Sequence, residues 1–125
     1  MTNNPQLPAA VAEFIQNAID SVPELEALLL FFRDPAAVWP EAGLAARLYV
    51  SVREAQAIIG RLARGGFLAP VSGGWSWSAQ APRDLVAQVE EAYRTRLTLV
   101  TRIIHAKPPS AVRDFARAFD VRREK

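Results

Sequence analysis

The chain has 125 residues, half of them hydrophobic and 22% charged, with a net charge of +2, no cysteine and one histidine. That length suits one domain, or one domain with an extension, and the apolar share is enough for a buried core. The missing cysteines exclude disulfides, zinc fingers and thiol chemistry, and one histidine leaves little for a histidine-based metal site.

The charge is uneven. Residues 1–50 carry six acids and two bases, and residues 51–125 carry thirteen bases and seven acids, so the second part is basic. Thirteen of the fifteen basic residues are arginine. The planar fork of arginine suits phosphate and guanine, although a GC-rich coding sequence would also enrich it. Met1 leads into Thr2-Asn3-Asn4-Pro5, which has neither a basic nor an apolar leader segment, so no secretory signal is expected. The apolar run Leu28-Leu29-Leu30-Phe31-Phe32 is too short to span a bilayer. A cytoplasmic protein with no membrane partner is expected.

Residues 9–19 carry Val11, Phe14, Ile15 and Ile19 at helical spacing. Ser21-Val22-Pro23-Glu24 is a capping box with proline in the first turn, and it opens a helix over 22–33. Leu25, Leu28, Leu29 and Phe32 form one face of that helix, and Asp34-Pro35 ends it. Trp39-Pro40-Glu41 starts the next helix, whose buried stripe is Leu44, Ala45 and Leu48; Trp39 itself is expected in the core. Tyr49-Val50 is a tight turn. Ser51-Val52-Arg53-Glu54 is a second capping box, and Ala55, Ile58, Ile59 and Leu62 are the buried side of the helix it opens. Gly65-Gly66 stops that helix, since glycine adopts the left-handed cap freely.

Phe67–Val71 and Gly74–Ser78 are expected to form a hairpin, because Trp75 and Trp77 alternate with strand period. The two tryptophans could face a partner or pack the hairpin against the body. One long helix is expected from Pro82 to about Ala106, with Val86, Val89, Tyr93, Val100 and Ile103 as its seam and Arg96 interrupting it. His105 would favour the dipole at its C-terminal end when protonated. Lys107-Pro108-Pro109 breaks it, and Ser110 caps a last helix carrying Val112, Phe115, Ala116 and Phe119. No internal repeat is visible. The expected fold class is mainly α with a small β-hairpin, divided into residues 1–80 and a helical extension over 81–125.

The helix over Leu44 to Leu48, the Ser51 cap, the exit Arg61-Leu62-Ala63-Arg64-Gly65-Gly66-Phe67-Leu68 and the glycine-tipped hairpin come in a distinctive order. Over about residues 21–78 this order resembles the winged helix-turn-helix superfamily of bacterial transcription regulators, of the MarR and PadR kind. The resemblance implies double-stranded DNA as partner, a recognition helix beginning at Ser51, and a homodimer built on the C-terminal extension. Arg53 and Gln56 would then meet base edges, Arg61 and Arg64 phosphates, and Ser51 a phosphate at the helix N-terminus. Ser72 and Gly73 would form the wing tip. Tyr93, Val100, Ile103 and Ile104 would face the second copy. The wing tip carries no basic residue, which leaves a protein-interaction module without DNA binding as the alternative.

No hydrolase triad, phosphate-cradling glycine loop or metal cluster can be assembled from the sequence. Gly65-Gly66 and Gly73-Gly74 lack the lysine and strand-to-helix setting of a P-loop. Glu90-Glu91 lies among arginines and is expected on a solvated face. Neither a catalytic residue nor a cofactor is expected, and the chain is not expected to be an enzyme.

Overall fold

A computed structural model describes residues 7–106 of the chain; the helix expected after Ser110 lies outside the described residues. Among these the order is α1 (Ala9–Ala18), α2 (Val22–Arg33), α3 (Glu41–Leu48), α4 (Val52–Arg64), β1 (Leu68–Val71), β2 (Gly74–Trp77), α5 (Arg83–Thr95) and α6 (Leu97–His105). The fold is mainly α with a small antiparallel hairpin, as the periodicity predicts. No helix among the described residues is long and apolar enough to cross a membrane.

Local chemistry sets the helix starts. Ser21 Oγ accepts from the Glu24 N–H at 3.2 Å, and Ser51 Oγ accepts from the Glu54 N–H at 3.0 Å. Each bond satisfies a first-turn donor that has no partner within its helix. Of the glycine pair after α4, only Gly66 uses its conformational freedom, with φ at 90°; Gly65 stays right-handed.

The hairpin pairs Leu68 with Trp77, Ala69 with Ser76, Pro70 with Trp75 and Val71 with Gly74, across the two-residue turn Ser72-Gly73. The sequence gives no sign of a third partner, yet β2 has one. Trp39 N–H donates to Trp75 O at 2.8 Å, and Trp75 N–H donates to Trp39 O at 3.0 Å. The segment between α2 and α3 thus adds a bridge to the outer edge of the hairpin. Both backbone groups of Trp75 face Trp39, so none faces Pro70 opposite, and the missing N–H of Pro70 costs no ladder bond. The approach is close: a Cβ on Gly74 would stand 2.3 Å from Trp39 O.

The long helix expected over 82–106 is two helices. The chain breaks at Arg96, with φ −135° and ψ 52°, the residue that interrupts the apolar seam. A straight helix would carry Val100 and Ile104 away from the body. The break folds α6 back onto α1, and both side chains are buried there. Val100 and Ile104 are therefore core residues of their own chain and not a face for a second copy. Tyr93 and Ile103 pack partly buried against the same core. That core runs without interruption from Val11 to Ile104, so the described part of 81–125 shares it with the preceding helices.

The Trp39 bridge makes Gly74 the least replaceable residue of the hairpin. Gly74→Ala should cost roughly 2–3 kcal/mol, through the steric clash and the strain at φ 152°. Gly66→Ala, where a Cβ meets open space, should cost only about 1 kcal/mol for its positive φ. Urea denaturation of the two variants checks the order.

Candidate nucleic-acid interface

The amphipathic pattern of α4 separates two faces. At 100° per residue, the buried Ala55, Ile58, Ile59 and Leu62 centre on one side, and Arg53, Ala57, Gly60 and Arg64 lie within about 40° of the opposite direction. Arg53 and Arg64 are exposed and nearly in line, about 16 Å apart along the axis. Between them stand the small residues Ala57 and Gly60, and the Arg64 guanidinium folds back toward Gly60, with Nη1 3.4 Å from where a Cβ there would stand. Of the expected contact residues, Arg53 and Arg64 lie on this face, Ser51 caps its N-terminal end, and Gln56 stands on the flank opposite Arg61, about 60° from Arg53.

Their environments differ. Ser51 Oγ is engaged as the cap acceptor, and its hydroxyl has no acceptor among the described residues. Gln56 is exposed, but its amide Nε2 donates to Glu41 Oε1 of α3 at 3.0 Å, which ties the second turn of α4 to the start of α3. Ser72 and Gly73 are exposed at the hairpin tip, with no cation in the turn.

Arg61 departs from the expectation of a phosphate contact. It lies about 80° from Arg53 around the helix, on the flank that meets α2. Its Nε donates to Glu24 Oε1 at 2.8 Å, and Asp20 Oδ2 lies 3.5 Å away. Glu24 is fully buried. A carboxylate taken out of water needs a charged partner, and Arg61 is that partner. Arg61 therefore clamps α4 to α2 and does not belong to the outward face. Burial pushes the Glu24 carboxyl above its ordinary value of 4.5, and the Arg61 charge pulls the other way.

The tryptophans pack the hairpin against the body. Trp77 is buried, and its ring meets Phe32 edge-on at 5.5 Å between centroids. Arg83 stacks its guanidinium over the Phe32 ring at 4.4 Å. Trp75 and Trp39 are half-buried against the core. Glu90 pairs with Arg33 of α2 and Glu91 with Arg94, so the acidic pair is divided between two arginines. His105 is exposed in the last turn of α6.

One surface residue was not singled out from the sequence. Tyr49, in the turn between α3 and α4, is 93% exposed and holds a left-handed backbone, φ 60° and ψ 43°. Such a conformation costs a bulky residue about 1–2 kcal/mol. The tight turn was legible, and the residue type that it strains was the available signal.

The Arg61–Glu24 clamp yields a stability prediction. Arg61→Ala leaves a buried carboxylate unpaired and should cost about 3 kcal/mol at neutral pH. A carboxyl whose folded value is raised contributes stability that is present below 4.5 and is lost as pH rises through the folded value. Without Arg61 the folded value rises further, so the deficit should narrow as the pH falls from neutrality toward 4.5. Urea midpoints of the variant and the parent chain across that range measure it.

No family model matches the chain, and no curated protein matches it. Among solved structures, the chain is similar to the crystal structure of RV1404 from Mycobacterium tuberculosis, with a TM-score of 0.51 and 22% identity. The likeness covers 93% of this chain and 81% of that one, and at this identity it speaks for the fold alone.

Proposed function

We propose that this chain is a DNA-binding transcriptional regulator of the winged helix-turn-helix kind, which applies α4 to double-stranded DNA. The outward face of α4 carries the reading: two aligned arginines, without an ion pair among the described residues, with a small-residue centre between them. Ala57 and Gly60 allow the helix axis close to the floor of a major groove, while Arg53 beside Gln56 reaches base edges and Arg64 reaches phosphate. Ser51 supplies a hydroxyl donor where the positive end of the helix favours an anion. The order of helix, bridging strand, helix, tight turn, helix and hairpin supports the same reading. Such a regulator acts in the cytoplasm. As a homodimer it would set two copies of α4 about one DNA turn, roughly 34 Å, apart. With Val100 and Ile104 used inside the chain, Leu97, at 51% exposed, and the partly exposed Leu99 and Ile103 are the apolar side chains of α6 left for a second copy.

One observation favours a second reading, a protein-interaction module. The hairpin carries no cation at its tip, and the exposed large residues beside it, Val38 and Val71, are apolar.

Titration of the full chain against a mixed-sequence duplex at two salt concentrations tests the first reading. Binding should weaken steeply with salt. Arg64→Ala should flatten the log–log slope by about 0.9, the counterion release of one phosphate contact. Arg61→Ala, a change at the internal clamp, should leave the slope unaltered. Absence of binding to any duplex at low salt overturns the DNA reading and leaves the protein-interaction module.

A further inference from the structure

Tyr49 occupies a position that its own fold does not explain. The turn is held by Tyr49 N–H on Ala46 O at 3.3 Å and Val50 N–H on Ala45 O at 3.0 Å. This is the pattern in which glycine usually fills the left-handed site, because a Cβ is strained there. Tyr49 is the positive-φ residue other than glycine among the described residues. The residue is 93% exposed and its side chain makes no hydrogen bond, ion pair or ring contact among the described residues, so packing does not offset the strain. Solubility does not ask for an aromatic at this place either.

The location is specific. Tyr49 precedes Ser51 by two residues, which limits the separation of their α-carbons to about 7.6 Å. Ser51 caps the start of α4, and Arg53 stands on the first turn of the outward face. A duplex seated on that face has its phosphodiester backbone beside the first turn, where a phenolic hydroxyl can donate to a phosphate oxygen and the ring can lie against the sugar.

We propose that Tyr49 is a contact residue for the DNA backbone, which anchors the edge of the duplex next to the α4 N-terminus. The proposal rests on the DNA-binding reading above. The contact is neutral: it adds affinity for any sequence without releasing a counterion. That separates it from the arginines, whose removal changes the salt dependence.

The test uses the full chain and the same mixed-sequence duplex. Tyr49→Phe removes only the hydroxyl and should weaken binding three- to tenfold, the worth of about one hydrogen bond, with the salt slope unchanged. Tyr49→Gly removes the ring and the strain together, so it should weaken binding at least as much while its urea midpoint stays at or above that of the parent chain. Parent chain that binds DNA with both variants binding equally well overturns this inference and leaves the DNA reading in place; Tyr49 is then a docking residue for a protein. Parent chain that binds no DNA overturns both. A flattened slope in Tyr49→Phe also overturns the inference, because it would show that the change acts through a neighbouring arginine.

Discussion

The burial of α2 is the constraint on which the rest of the molecule depends. Leu25, Ala27, Leu28, Leu29, Phe31 and Phe32 are all buried, and with Glu24 they cover about 200° of the helix circumference. An ordinary surface helix buries a stripe of roughly half that width. Covering so wide an arc takes several neighbours, and α3, α4, α5 and β2 all pack on α2. Phe32 receives Trp77 from the hairpin and Arg83 from α5, so one side chain joins three elements.

The same burial forces Glu24 out of water and thereby assigns Arg61. The clamp stabilises the chain less by its own attraction than by preventing an unpaired buried charge. Its consequence is geometric. It holds α4 against α2 by its last turns, while the Gln56–Glu41 bond holds the second turn against α3. The outward face of α4 is thus presented by a helix tied near both ends. Arg53 and Arg64 remain outside these ties, and they are the side chains on which the proposed contact with DNA turns.

The second half of the molecule shows how a break can replace an interface. An uninterrupted helix over 82–106 would leave an apolar seam in water and so require a second copy to cover it. One non-helical residue at Arg96 removes that need, because α6 returns to α1 and buries Val100 and Ile104 there. A homodimer on this side would use the surface that remains around Leu97, Leu99 and Ile103.

Local patterns were legible in the sequence. The caps at Ser21 and Ser51, the stripes of Leu44, Ala45 and Leu48 and of Ala55, Ile58, Ile59 and Leu62, and the alternation of Trp75 and Trp77 each involve residues a few positions apart, so they predict helices and a hairpin with nearly correct bounds. One face of α2 was readable for the same reason; the burial of Ala27 and Phe31 on its other side was not, because it depends on which helices surround it. Tertiary structure alone decided the partners. Arg61 and Glu24 are 37 residues apart, and Trp39 and Trp75 are 36 apart. Periodicity placed Arg61 away from the apolar side of α4, but it could not show that a buried carboxylate lay beside that flank. It marked Arg96 as a flaw in a seam, but it could not show that the chain would turn there, because that turn is stabilised by contacts with α1, some ninety residues earlier. Spacing along the chain records which side chains prefer burial; what they are buried against depends on packing between segments that only the folded chain brings together.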